Sequence, residues 1–261
     1  MTAPTWEFTG HEFDAIWEAV DEGTMPAPFV YRCPPRTFEE GEYQRKQLWA
    51  ELRQRWGRDL DDMIEVLVRP DIRVVVRGYG GGDTDTDPAL AVRLLAVRRG
   101  DTGYVVRQTP GETIYDATGF TVAQHDALSL GEVLADLMPT VGGGREREIE
   151  LAEPSAAEFD YGYGRSLVQH YDDEVSDKAT AFREAPDRRS GTVVIEQGWS
   201  RFGPRGVVRM SMGWRDLVDD GRYFIVPGAP TVAVGADKRR VVGLINAQIA
   251  EVVRAIRDDR S

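Results

Sequence analysis

The sequence predicts an α/β (α+β) protein: a central antiparallel sheet flanked by helices, in two quasi-symmetric halves. Three observations point there. Helical periodicity fills the chain up to Pro70, β texture then appears in two separate series each followed by a helix, and the two series resemble one another at a shift of 110 positions. That shift lays Gly111 on Gly221, Ile114 on Phe224, Tyr115 on Ile225, Leu134 on Leu244, and Thr121-Val122-Ala123 on the identical Thr231-Val232-Ala233. A half made of a few strands and one helix leaves an apolar face open, so two such halves gain by combining in one sheet.

The elements follow in order. Phe13, Ile16, Trp17 and Val20 recur at helical spacing behind Thr9, an N-cap residue type. Thr37 and Glu40 have the separation of a capping box, and Leu48, Trp49, Leu52 and Trp56 mark one helix face up to Gly57. A third helix through Met63, Ile64 and Leu67 stops before Pro70. Strands are expected at Ile72 to Val76, Leu90 to Val97, Tyr104 to Val106 and Thr113 to Tyr115, with turns at Gly100-Asp101 and Pro110-Gly111. A helix through Leu130, Val133, Leu134 and Leu137 ends at Pro139, and Gly142-Gly143-Gly144-Arg145 reads as a flexible linker. After a polar, helical stretch from Pro154 to about Ala185, strands return at Thr192 to Ile195, Val207 to Met212, Tyr223 to Val226 and Thr231 to Val234. A closing helix carries Val241, Leu244, Ile245, Ile249, Val252, Val253 and Ile256. One domain over 1–261 is expected, its halves at about 1–141 and 148–261 joined through the glycine-rich stretch 142–147.

Composition excludes whole classes. A hydrophobic content of 41% in 261 residues suffices for a substantial core. The 44 acidic against 32 basic side chains give a net charge of -12, which repels a phosphate backbone, so nucleic acid is not an expected partner. A single cysteine, Cys33, excludes an internal disulfide and a four-cysteine zinc site. Glu7, Glu12, Asp14 and Glu18 stand where a secretory signal would be basic and then apolar, and the uncharged run from Tyr223 to Ala236 is too short and too broken to span a bilayer. A cytoplasmic protein without direct membrane insertion is the expectation.

The stretch Gly78-Tyr79-Gly80-Gly81-Gly82-Asp83-Thr84-Asp85-Thr86-Asp87-Pro88 invites two chemical readings. A dinucleotide fingerprint needs glycine at its sixth place and a helix start after it, but Asp83 occupies that place and Pro88 follows. A calcium loop uses alternating acids such as Asp83, Asp85 and Asp87, yet its sixth position should be glycine and is Pro88, and its twelfth should be glutamate and is Leu94. What remains is weak cation binding or a mobile connection between strands. No catalytic signature replaces these readings. His11-Glu12 lacks the second histidine of a zinc-protease helix, since position 15 is Ala15, and the other histidines, His125 and His170, are at no ligand spacing. Neither a nucleophile elbow nor a phosphate-binding Gly-Lys-Ser/Thr occurs, and Asp61-Asp62, Asp172-Asp173-Glu174 and Asp219-Asp220 are adjacent acids that point apart. No catalytic residue, metal ligand or cofactor is assigned; a metal-dependent or hydrolytic enzyme with acids from several loops stays as the alternative.

Trp17, Trp49 and Trp56 sit in helical stripes and belong to the core. Trp199 and Phe202 differ, because they stand with Arg201 in the turn-like Gly198-Trp199-Ser200-Arg201-Phe202-Gly203-Pro204-Arg205 between two strands, where apolar groups beside arginine suit either a binding hot spot or packing over the core. This loop occupies in the second half the place of the Gly-Asp loop in the first.

Trp214-Arg215-Asp216-Leu217-Val218-Asp219-Asp220-Gly221-Arg222-Tyr223-Phe224-Ile225-Val226, followed by Thr231-Val232-Ala233-Val234 and a helix, resembles the C-terminal signature of the EspG family, cytosolic chaperones of type VII (ESX) secretion in mycobacteria and related actinobacteria. The opening Phe8-Thr9-Gly10-His11-Glu12-Phe13-Asp14-Ala15-Ile16-Trp17 and Leu67-Val68-Arg69-Pro70 ahead of a strand are similar to the family's first helix and its entry into the sheet. The likeness covers nearly the whole chain. It departs where the family often has Asp-Thr before Gly-Arg-Tyr and this chain has Leu217-Val218-Asp219-Asp220. The resemblance implies two quasi-symmetric halves around one antiparallel sheet, no catalysis, and binding of the apolar tip of the PPE-type subunit in a PE-PPE heterodimer, keeping it soluble and directing it to secretion. The partner-facing residues are then expected on the loop with Tyr79, Asp83, Asp85 and Asp87, on the loop with Trp199, Arg201 and Phe202, and on the last helix at Gln248 and Arg254. A homodimer through a sheet edge is a further alternative.

Overall fold

The computed structural model describes residues 4–20, 25–32, 37–82, 85–151 and 177–260. The expected Thr9 cap forms a full capping box: Thr9 Oγ1 accepts from the Glu12 amide at 3.2 Å, and Glu12 Oε2 accepts from the Thr9 amide at 2.8 Å. It starts α1 (Gly10–Val20), and Thr37 caps α2 (Phe38–Trp56), with α3 (Arg58–Val68) following directly. In front of α1 a strand that the sequence reading missed, β1 (Thr5–Thr9), pairs at the sheet edge.

The strands are β2 (Ile72–Gly80), β3 (Val92–Arg99), β4 (Thr102–Pro110) and β5 (Ala117–Asp126), then α4 (Leu130–Leu137) and β6 (Glu148–Glu150). Helical residues 177–184 form α5 ahead of β7 (Asp187–Gln197), β8 (Arg209–Leu217), β9 (Arg222–Val226), β10 (Val232–Gly235) and α6 (Lys238–Arg260). Thr113 to Tyr115, expected as a strand, is instead the turn in which Thr113 Oγ1 holds the Asp116 carboxylate and the Tyr115 amide. The strand lies just beyond, in β5, whose polar Gln124 and His125 hid it. The remainder of the expected polar helix, residues 152–176, lies outside the described residues.

Among the described residues, ten strands form one sheet in the order β1-β5-β4-β3-β2-β7-β8-β9-β10-β6, with every strand pairing antiparallel. The succession α3-β2-β3-β4-β5-α4 recurs as α5-β7-β8-β9-β10-α6, and the two copies meet at the central pair β2 and β7. Thr121-Val122-Ala123 and Thr231-Val232-Ala233 fall at the equivalent strands β5 and β10, whereas Ile114 and Tyr115 lie in a turn and their counterparts Phe224 and Ile225 in β9. The repeat is therefore out of step by a few residues in that part.

Alternation along each strand feeds two faces. Val74 and Val76, Leu94, Val193, Met212, Trp214 and Phe224 lie under α4 and α6 on one face. Leu95, Val97, Val106 and Phe120 meet α1, α2 and α3 on the other, where Tyr223, Ala233 and Leu217 meet Phe182 of α5. Trp17 is in this core, while Trp49 and Trp56 are half-buried at its margin. Both sheet edges carry exposed glutamates, Glu7 on β1 and Glu148 and Glu150 on the three-residue β6, which disfavours further strand addition.

The glycine-rich stretch 142–147 does not behave as the free linker expected of it. The Gly144 amide donates to the Arg222 carbonyl at 2.9 Å, the Arg222 amide to Gly142 at 2.8 Å, and the Arg145 amide to Asp220 Oδ1 at 2.7 Å. Its glycines permit close approach: a Cβ on Gly144 would lie 2.1 Å from the Tyr223 ring. Beneath it, the buried Arg222 guanidinium forms a two-point pair with the buried Asp216 carboxylate, 2.6 and 2.8 Å, donates to Pro139 O, and stacks over Trp214 at 5.3 Å. The neighbouring Tyr223 hydroxyl donates to Asp220 and accepts from the Glu146 amide, and burial first, with the Asp220 carboxylate adding to it, pushes its phenol up to about 12.

Two outcomes follow from this corner. Asp216→Ala strands a buried guanidinium and should lower unfolding free energy by about 3–5 kcal/mol in urea titration, while Asp216→Leu combined with Arg222→Met should recover much of the loss. Between pH 10 and about 12 the unfolded Tyr223 ionises while the folded one stays neutral, so stability falls as pH rises through that window. In Tyr223→Phe that part of the alkaline slope should vanish from urea midpoints compared across it.

Candidate partner-binding surface

The sheet register decides which of the expected contact residues are neighbours. Ile72 of β2 pairs with Gln197 of β7, and Gly80 pairs with Arg189. The loop after β2 and the loop after β7 therefore leave from opposite ends of the central pair, separated by roughly 27 Å at the rise of an extended strand. A single surface containing both the Gly-Asp loop and the Trp199 loop is not formed.

At the first end, Tyr79 is not in the loop as expected but in β2, opposite Ser190. Its ring lies beneath the Arg77 and Arg93 guanidinium groups, 5.0 and 5.9 Å from the centroid, and its hydroxyl accepts from Arg77 Nε. The surrounding glycines serve packing. A Cβ on Gly78 would sit 2.2 Å from the Trp214 ring, one on Gly191 opposite would sit 2.0 Å from the Arg77 carbonyl oxygen, and one on Gly81 would sit 1.9 Å from that of Asp187. Gly82 turns the chain with φ +55. Asp87 Oδ1 accepts from the Ala89 amide at 2.9 Å and so caps the short 3-10 helix Pro88–Leu90; Asp85 is exposed in the preceding turn, and Asp83 lies outside the described residues. No group of three metal-ligating side chains occurs among the described residues.

At the other end the loop after β7 has a fixed stem and a free crown. The Gly198 amide donates to Asp71 O at 2.8 Å, the buried Gln197 amide group donates to Trp199 O at 2.6 Å, and Ser200 Oγ accepts from the Phe202 amide at 3.3 Å. Trp199 nevertheless keeps 74% of its surface exposed and Phe202 65%, with Arg201 4.8 Å over the Phe202 ring. An indole and a phenyl left in water above an ordered stem fit the anchor residues of a protein interface.

Arg98 of β3 pairs with Ile72, which puts the end of β3 and the turn between β5 and α4 on this same side of the sheet. Leu128, in that turn, is 81% exposed and was not singled out from sequence, because an apolar residue between Asp126 and Ser129 carries no sign of which way it will face. Leu128 and Arg98 border a groove along the last helix, closed on its far side by Ile249, Val253 and Arg254. Arg254 is exposed and paired with Glu251 at 2.6 Å, whereas Gln248 is half-buried. Trp199, Arg201, Phe202 and Arg254 are thus at one end of the sheet, and Tyr79, Asp85 and Asp87 at the other.

The groups considered for catalysis have other occupations. His11 Nδ1 meets the Tyr31 hydroxyl, and His125 stands on β5 with burial lowering its pKa; His170 and the acids 172–174 lie outside the described residues. Asp61 pairs with Arg53, and Asp220 receives Arg145 and Tyr223.

No curated protein sequence matches the chain. Among solved structures, the type VII secretion system chaperone EspG5 of Mycobacterium tuberculosis, in complex with the PE25-PPE41 dimer, is similar in fold, with 13% identity and a TM-score of 0.56 over 92% of this chain and 93% of that one. The EspG family model matches residues 9–247, from the capping box of α1 into α6 and across the Asp216, Arg222 and Tyr223 corner. On that match the chain belongs to the EspG family.

Proposed function

We propose that this protein is a specificity chaperone of a type VII secretion system. In this reading it binds a PE-PPE heterodimer at the apolar tip of the PPE-type subunit, keeps the pair soluble in the cytoplasm and directs it to export. Membership of the EspG family over residues 9–247 carries the proposal, and the complex of EspG5 with PE25-PPE41 supports it. The physical logic is mass action: a protein that covers an exposed apolar tip lowers the concentration of the form that self-associates. Its work is binding and involves no covalent chemistry. No helix among the described residues is long and apolar enough to cross a membrane.

We assign the contact to the end of the sheet that carries Trp199, Arg201, Phe202, Leu128 and Arg254, because three large apolar side chains stand exposed there above ordered backbone. Tyr79 is held by two arginines and Asp87 by its own turn, so they are given no anchoring role.

Co-expression with the PE-PPE pair encoded nearest to it should give one complex on gel filtration, and failure to co-elute with any such pair from the same genome would overturn the proposal. Trp199→Ala and Phe202→Ala should each weaken the complex by about 2 kcal/mol, roughly thirtyfold, while Asp85→Asn and Asp87→Asn should change it by less than about threefold in a titration.

A further inference from the structure

The groove beside α6 differs in charge from the molecule that carries it. Its volume is about 560 Å³, its floor is formed by Leu128, Ile249 and Val253, and its charged lining consists of Arg98, Arg254 and Arg257 without one carboxylate. In a chain with a net charge of -12, a cationic rim around an apolar floor is a local reversal of sign. Arg98 stands at the edge of the groove, its outer nitrogen 3.3 Å from the Gly100 carbonyl, and a guanidinium in that place can take a carboxylate in addition.

From this we infer that the groove is a specificity site for an acidic-apolar segment of the bound partner. Two or three of the segment's apolar side chains fill the space over Leu128, Ile249 and Val253, and flanking carboxylates pair with Arg98, Arg254 and Arg257. The inference rests on the chaperone reading and adds to it the chemistry by which one cargo is preferred to another. The net charge of -12 on each copy opposes association of two chains, which argues for this occupant over a second copy.

Glu251 has a part in the selection. In the free protein it holds Arg254 at 2.6 Å across one helical turn. Both side chains are substantially exposed, so this contact is weak and easily exchanged for a partner carboxylate. It shields the cation against cargo that brings no acid, a discrimination achieved by competition.

The test measures affinity for a co-purifying PE-PPE pair by titration at low and high salt, with melting curves as a control for folding. Arg254→Glu and Arg257→Glu, both at exposed positions, should lower melting only slightly, weaken binding about tenfold each, and flatten its salt dependence. Glu251→Gln should tighten binding about threefold, and Leu128→Asp should weaken it at every salt concentration. If the wild type binds but these variants match it in affinity and salt slope, the groove assignment is wrong and the chaperone reading survives. If no pair binds the wild type, both fall. If light scattering shows a wild-type dimer that Leu128→Asp dissociates, the occupant is a second copy and the inference is overturned.

Discussion

The structure depends on the pairing of β2 with β7. Nine residue pairs, from Ile72 with Gln197 to Gly80 with Arg189, join the two half-sheets at their middle. Without that seam each half would present a long, apolar strand edge, the kind of edge that proteins protect. The seam also sets the composition of its surroundings. Gly78 faces Gly191 across it, and the absence of both side chains lets the fully buried Trp214 indole lie over the backbone from β8. Val76 and Val193, two positions from these glycines and on the same face, are fully buried under α6. A glycine-rich run that looks like a phosphate cradle in sequence is thus the shallow part of a sheet, shaped to admit one large ring.

A second constraint fixes the outer half. Arg222 lies between the Trp214 face and the Asp216 carboxylate and reaches the Pro139 carbonyl, so one side chain ties β9 to β8 and to the end of the first half. Tyr223 points to the opposite face and, through Asp220 and Glu146, holds the connection 142–147 along the sheet. Burying an ion pair contributes little net stability against an apolar substitute, but it penalises any other arrangement of the same strands. This explains why the segment by which the chain resembles its family is a framework element: its charges are spent inside the protein, and the proposed partner contact lies elsewhere.

The place of that proposed contact follows from the way the two halves meet. Related halves that meet edge to edge in antiparallel fashion send equivalent hairpin loops to opposite ends of the sheet. The Gly-Asp loop and the Trp199 loop occupy the same place in their halves and for that reason are far apart. One end carries exposed acids in a capped turn; the other carries Trp199, Phe202 and Leu128 beside arginines. An acidic protein with an apolar, cationic end has a preferred direction of approach for a partner of opposite character.

The helices and most strands were legible because burial on one face writes a period into the sequence: Phe13, Ile16 and Trp17, or Thr37 ahead of Leu52, need no tertiary information. The alternating strands of both halves and the closing helix were legible for the same reason, and the shared Thr-Val-Ala falls at corresponding strands, β5 and β10. Strands β1, β5 and β6 were not: β1 and β6 do alternate, but over five and three residues only, too few to stand out without the cross-strand pairing that makes them strands, and β5 runs out into the polar Gln124 and His125. Trp199 and Phe202 could be singled out as loop aromatics, but their exposure could not. Leu128 and the arginine rim were invisible, because a surface groove is made by residues distant in sequence, Arg98 with Leu128 and Val253. Sequence by itself determined which segments bury a face; only the folded sheet decided which loops share an end, because register and strand order are set by contacts between halves.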